Sequence, residues 1–341
     1  VQTFNPPPAT IHRTVADFLH YRTDDGKSVA GDEIHHYRQR HKIIVIAMAG
    51  PKDDVRPPSV AGTFYPAQPA QCRELAHSYL VPRAHQLPGL CGGVVPHAGW
   101  VCSGAIAGET IATLKLARPD ADLIVIFAAV HTPIALDHAA LDSFARWQSP
   151  LTLSGVDDEA RRRIAESREW FVTDNRFHSR DHAVEVEMPL IEEAFPGVGI
   201  LPIEVPLIEH AAEVGKIAAK QVIAMKRNPL FLASSDLTHY GLNYRFTPAG
   251  VGEEGLKWAE RNDERLIDRI IVQDVDGIVE EVRSHHNACG GGAIAAMLAA
   301  CREMGATQAQ LLTHTNSHEV LRKICKDSAD NAVGYASIVV G

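Results

Sequence analysis

Residues 123–127 read Leu-Ile-Val-Ile-Phe, an apolar run without a single polar position. A half-exposed strand would alternate; an unbroken run of this length suits a strand covered on both faces. Further strand-like segments stand at 92–95 (Gly-Gly-Val-Val), 199–205 and 229–233 (Pro-Leu-Phe-Leu-Ala). Helical patterns fall between and after them, at 103 to about 116, 182–195, 209–225, 253–271, 274–284 and 290–304. Strand-like 310–313 and 332–340 close the chain. Strands alternating with helices predict an α/β/α sandwich around a mixed, mostly parallel sheet. The runs at 92–95 and 123–127 are joined by one helix, so they are expected to be parallel near neighbours.

This regularity begins near residue 56. Before it, residues 1–55 read as an N-terminal extension, partly flexible or arm-like, with a stiff Asn5-Pro6-Pro7-Pro8 opening. The histidines of 35–41 (HHYRQRH) fit a solvated mixed-charge helix better than a metal tract, and 51–58 reads as a linker. The α/β domain is therefore expected over 56–341, and an arm crossing onto a second copy would make the protein a homo-oligomer.

Charge excludes two classes of partner. The net charge is −9 with no block of one sign, which argues against a nucleic-acid binder and a polybasic membrane patch. The apolar run at 43–49 falls far short of the roughly 20 residues of a membrane span, and residues 1–20 lack the apolar core of a signal peptide. Cys72, Cys91, Cys102, Cys289, Cys301 and Cys325 form no CxxC pair. They read as reduced thiols of a cytoplasmic protein.

Chemistry gathers where the strands stop. The run at 92–95 ends in Pro96-His97, the run at 123–127 leads to His131, and the run at 229–233 leads through Ser234-Ser235-Asp236 to His239. In open α/β sheets ligands sit outside the carboxyl ends of the strands, so His97 and His131 can reach one ion. Cys289, in HNACGGG ahead of a helix, is a further candidate, because a helix N-terminus favours thiolate. On spacing alone it reads equally as a small buried residue beside a tight turn. Imidazole with thiolate suits zinc, copper or iron rather than magnesium or calcium. Three protein ligands leave positions open. Asp236 and His239 then read as acid/base or supporting groups. Asp181-His182 with Glu185 and Glu187 reads as a charged first turn that caps a helix.

Several segments together resemble the Memo family, which includes protein B of the AmmeMemoRadiSam system. They are RPPSVAGTFYP (56–66), PHAGWVCSG (96–104), His131 after its apolar run, DHAVEVEMPL (181–190), SSDLTHYG (234–241), HNACG (286–290) and the closing Gly334-Tyr335-Ala336. The resemblance implies a fold similar to class III extradiol dioxygenases and metal positions at His97, His131 and Cys289. It places Asp236 and His239 on the SSDxxH segment, with His239 as the acid/base. It implies Fe(II) or copper, zinc being less suited, together with dioxygen and a small-molecule substrate. The alternatives are a binding module for a phosphotyrosine or anionic peptide in the same pocket and a zinc hydrolase, and the partners the resemblance suggests are a peptide or a radical-SAM protein. An anion site would want arginines, of which Arg176 and Arg180 are the nearest in sequence. Two departures stand out. Ala128-Ala129-Val130-His131-Thr132 replaces the usual Gly-Pro-Ser-His-His, and Trp100 stands where Tyr is common, adding bulk expected at the pocket mouth.

Overall fold

The computed structural model describes residues 54–324 and 329–341. The proline-rich opening, the 35–41 histidines, nearly all of the expected extension and Cys325 lie outside the described residues.

The long apolar runs do become a sheet. Its strands are β1 (Gly92–Val95), β2 (Leu123–Ala128), β3 (Ala139–Leu141), β4 (Phe171–Thr173), β5 (Gly199–Glu204), β6 (Pro229–Ser234), β7 (His239–Gly241), β8 (Ala309–Asn316) and β9 (Asn331–Val340). Their order is β7-β9-β1-β6-β2-β5-β3-β4, with β8 also paired to β9. The four central strands β1, β6, β2 and β5 are mutually parallel. The flanking pairs β9–β1 and β3–β5 are antiparallel. The sheet is thus mixed with a parallel centre, as the unbroken apolar runs predict. One refinement concerns neighbours: β1 and β2 are parallel, but β6 lies between them. Their carboxyl ends, and the loops carrying His97, Asp236 and His131, therefore stand side by side.

Side-chain alternation along the strands splits the core into two layers. Val125, Phe127, Leu201, Ile203, Phe231 and Ala233 face one cluster. Ile124, Ile126, Ile200, Leu230 and Leu232 face the other. The first layer is roofed by α3 (Asp158–Ala165), α5 (Ala211–Ala224) and α8 (Gly291–Glu303), the second by α1 (Pro69–Tyr79), α2 (Trp100–Ala117) and α4 (Met188–Ala194). Two further helices, α6 (Glu253–Ile271) and α7 (Val275–His285), fill the span between β7 and α8. Burial of about 25 cal/mol per Å² of apolar surface on both faces drives this assembly. A small separate sheet pairs Val55–Arg56 with Arg146–Gln148, and the latter with Leu153–Gly155. Cys72, Cys91, Cys289 and Cys301 are free thiols. No helix among the described residues is long and apolar enough to cross a membrane.

Trp100 corrects an expectation. It is buried at the start of α2, packs against Tyr65 and Tyr79, and donates its indole N–H to the Val186 carbonyl at 3.0 Å. It is a core anchor, not bulk at a pocket mouth, because an indole satisfied at its one polar atom gains more from full burial than from exposure.

Candidate metal centre

The loops after β1 and β2 bring His97 and His131 together, with ring centroids 5.1 Å apart. A third imidazole, His182, stands 5.3 Å from His97 and stacks on His131 at 4.4 Å. The donor atoms of the three lie within 4.8 Å of one another. Cys289 Sγ is 3.2 Å from His97 Nε2.

Hydrogen bonds fix which nitrogen faces the centre. The Ser234 hydroxyl donates to the Ala183 carbonyl at 2.7 Å, so it can only accept from His97 Nδ1 at 2.8 Å. His131 Nδ1 lies 3.1 Å from the Asp181 carboxylate, which also accepts from the His131 backbone N–H at 2.7 Å. Both rings therefore carry their proton on Nδ1 and present a lone pair at Nε2. Burial alone would raise Asp181, but its bonds from His131 and from the Ala183 N–H hold it well below the usual carboxylate range. Burial, reinforced by His131 and His182, pushes His97 well down. Burial and then His131 bring His182 to about 4. At neutral pH both are unprotonated, the form that binds a metal.

The segment 181–187 does not cap a helix in the way its charges suggest. Asp181 orients His131, and His182 joins the imidazoles. Glu185 accepts from the Ser59 and Val60 N–H groups and the Tyr65 hydroxyl, each at 2.8 or 2.9 Å, and pairs with fully buried Arg56. Arg56 also donates to the carbonyls of His178 (3.1 Å) and Asp181 (2.7 Å) and stacks on Trp147 at 4.4 Å. These charges lie inside the protein, where a partner's charge outweighs any helix dipole. Two of the segments read from the sequence, 56–66 and 181–190, are therefore two halves of one clamp. Glu187 is fully buried, and neither carboxylate oxygen has a hydrogen-bond partner among the described residues. Burial and the nearby Asp236 push its pKa well up, which favours the neutral carboxyl.

Asp236 Oδ1 accepts the His97 backbone N–H at 2.8 Å, tying the turn after β1 to the turn after β6. The Asp236 N–H points at Cys289 Sγ, 3.3 Å away. The expected lowering of the Cys289 thiol is not seen: burial, then Asp236, push it up. The thiol precedes α8 by two residues, and desolvation exceeds what the helix end offers. Gly290 and Gly292 do permit a close approach, but to protein. A Cβ on Gly290 would meet the Ser235 side chain at 2.7 Å, and one on Gly292 the Pro206 carbonyl oxygen at 2.0 Å.

Beside the cluster lies an open cavity of about 390 Å³, lined by Cys289, His239, Tyr244, Arg245, Phe246 and His286 among others. His239 Nδ1 donates to the Leu237 carbonyl at 3.1 Å, which leaves Nε2 as its basic nitrogen. Asp236 does not line this cavity. Arg176 is spent on Asp174 and is not part of it either; Arg245 is the arginine the cavity holds. Thr132, where the family usually has a second histidine, donates its hydroxyl to the Phe177 carbonyl at 3.3 Å. His182 stacks on His131 instead.

A mixed α/β/α sandwich with imidazoles and a thiol at the carboxyl edge of its parallel strands defines the class of protein. A family model described as Memo-like protein matches residues 56–339, and the chain belongs to the Memo family. It is 32% identical over 294 residues to a MEMO1 family protein of Nitrosopumilus maritimus, covering 83% of this chain and 98% of that relative. Over 296 residues it is 33% identical to one of Methanosarcina barkeri (84% and 100%). Over 295 residues it is 33% identical to one of Thermococcus onnurineus (84% and 99%). Among solved structures it is similar to an uncharacterised Escherichia coli K12 protein, with a TM-score of 0.47 and 12% identity over 74% of this chain and 100% of that one.

Proposed function

We propose that the protein is a metal-dependent oxidoreductase that uses dioxygen on a small organic substrate, with Fe(II) or copper held by His97, His131 and Cys289 and with His182 as a further imidazole. The observation that carries this reading is the convergence of three imidazoles within 4.8 Å on a thiol 3.2 Å from one of them, at the edge of a cavity that Cys289 also lines. The donor set fits such a metal: two oriented Nε2 lone pairs and one sulfur are soft to intermediate ligands. When bound, the metal supplies an open position and the electron transfers that dioxygen chemistry needs.

The remaining work falls to the chain. Asp181 and Ser234 hold their imidazoles in one tautomer and one orientation, which keeps the donors aimed before any ligand arrives. The Asp236 N–H stabilises charge on the Cys289 sulfur when its proton leaves. His239 Nε2, on the cavity wall, takes a proton from a substrate hydroxyl and can return it. The test is elemental analysis of protein purified without added metal, followed by dioxygen uptake with a panel of small aromatic substrates. About one iron or copper per chain with substrate-dependent uptake is expected from a single ligand set with a position left open. Zinc alone, with no uptake after reloading with iron or copper, would overturn the proposal.

A further inference from the structure

Sulfur also gathers at the other end of α8, away from Cys289. Met297 and Cys301 stand one turn apart on that helix and so share a face; both belong to the core layer that holds Cys91 and Phe231. Cys301 Sγ lies 3.6 Å from Met297 Sδ. Cys91 meets them from the residue before β1, its Sγ 3.9 Å from the Cys301 carbonyl oxygen. A Cβ on the neighbouring Gly92 would collide with Cys301 Sγ and reach Met297 Sδ at 3.3 Å. Both helix sulfurs are therefore pressed onto the strand where Cys91 joins it. Cys91 is 1% exposed, and Met297 and Cys301 are fully buried.

Buried sulfur is often plain filler, because Met and Cys adapt to irregular cores. This group is better organised than filling requires. The Cys91 backbone is held on both sides, its N–H donating to the Val340 carbonyl and its carbonyl accepting the Phe231 N–H, each at 2.9 Å. Hydrogen bonding from Cys301 holds the Cys91 thiol below its ordinary value although burial opposes it, and the charge of Arg118 acts the same way. Thiolate is the form that binds metal. The spacing also suits an ion. Three sulfurs bound in one plane at about 2.3 Å from a metal stand about 4 Å from one another. Sulfurs already touching at 3.6 Å thus need little rearrangement and no cavity.

We propose that Cys91, Met297 and Cys301 form a binding site for a soft monovalent ion, Cu(I), separate from the imidazole cluster. Two thiolates and a thioether are the soft donors such an ion selects, whereas zinc asks for a fourth ligand. Binding exchanges two thiol protons, released to solvent, for one copper ion that stays monovalent. The single negative charge left on the group lies within the influence of Arg118, which also donates to the Leu90 carbonyl at 3.4 Å. Occupied, the site ties α8 to β1, the two elements that flank Cys289 and His97 in the chain. Its occupancy follows the Cu(I) supplied, so it adds nothing to the metal counted in protein purified in air without added metal. The site uses none of the imidazoles, and it does not depend on the oxidoreductase reading.

The experiment loads the full chain carrying Cys289→Ala with Cu(I) under anaerobic conditions, for hours, because the ion enters by local opening of the core. X-ray absorption reads the donor atoms, and competition with a Cu(I) chelator reads the affinity. About one tightly held Cu(I) per chain with three sulfur neighbours is expected, together with a higher Tm, since the ion binds the folded state. Met297→Leu conserves volume and should leave two sulfur neighbours. It should weaken binding by at least the roughly tenfold that loss of even an outer partner costs a metal site. Cys91→Ala should abolish the tight binding. Where that variant does not fold, Met297→Leu decides. Nitrogen donors alone, or a sulfur count and affinity unchanged by Met297→Leu, overturn the site. Zinc held as tightly as Cu(I) overturns the choice of a soft monovalent ion. A Cys91–Cys301 disulfide, mapped by mass spectrometry in protein isolated with its thiols alkylated, overturns the site in favour of a structural cross-link. Failure of dioxygen uptake at the imidazoles changes none of these readouts, so the two proposals fall separately.

Discussion

The two ends of the parallel strands are built to opposite rules. At the amino end, Arg227 ahead of β6 donates to Asp157 at 2.9 Å through Nε and reaches Asp122 at 3.4 Å. Asp122 accepts the Asn228 N–H at 2.8 Å and returns its own N–H to the Asn228 carbonyl at 3.1 Å. Asp157 also caps α3 through the Ala160 N–H at 2.9 Å. Each of these charges meets its opposite. At the carboxyl end three imidazoles face one another, and Glu187 lies buried without a partner among the described residues. One end is arranged for stability. The other keeps groups that cost stability and have chemical use, the local inconsistency expected of a functional site.

The strongest way to break this comparison is to remove a group from the carboxyl end. Cys289→Ala should lower metal content and dioxygen uptake about tenfold or more, while the urea midpoint of the metal-free protein stays the same or rises. Native metal content in that variant would remove Cys289 from the ligand set. Next in size is Arg56→Met, which leaves Glu185 buried without its counter-charge and should cost about 3–5 kcal/mol in urea unfolding. Adding Glu185→Leu should recover part of that loss; a double variant no better than the single one would mean the clamp acts through packing alone. At the amino end, Arg227→Ala should cost only about 1 kcal/mol, because the pair is partly exposed, and metal content should not change. A fall in metal uptake there would show that the two ends are not independent.

The smallest effect concerns a carboxyl at neither end. Glu192 accepts from the Ser149 and Ser154 hydroxyls, and burial raises its pKa from 4.5 to about 7 despite those bonds. The folded state thus holds this proton more tightly than the unfolded chain. Its contribution is complete below about 4.5 and is lost as the pH rises toward 7. Glu192→Gln should flatten that part of the Tm-against-pH curve, and an unchanged slope would assign the pH dependence to other groups.

Much of the fold was legible because buried parallel strands write themselves as unbroken apolar runs. The runs at 92–95, 123–127 and 229–233 match β1, β2 and β6 within one residue. Strand order was less legible, since nothing local tells β6 to enter between β1 and β2. Helix α3 was missed although Asp157, an acidic first turn and a basic last turn all mark it; its buried side is only Ala160 and Ile164, too short a stripe to register as a period. In the site, His97, His131, His239 and Cys289 could be singled out because each stands at an element's end. His182 could not, since its neighbours Asp181, Glu185 and Glu187 imitate a helix cap. Their true partners are distant in the chain: Arg56 lies 129 residues from Glu185.

The tight seating of Gly290 on Ser235 and of Gly292 on Pro206 bears on how such a scaffold can diversify. The loops after β5 and β6 and the start of α8 are pressed together so closely that substitution or insertion there would displace Cys289. The exposed stretch 242–245 is under no such pressure. Drift in sequence can therefore accumulate in the outer wall of the cavity while His97, His131, His182 and Cys289 stay in register, so relatives can share this cluster and differ in the shape of the cavity beside it.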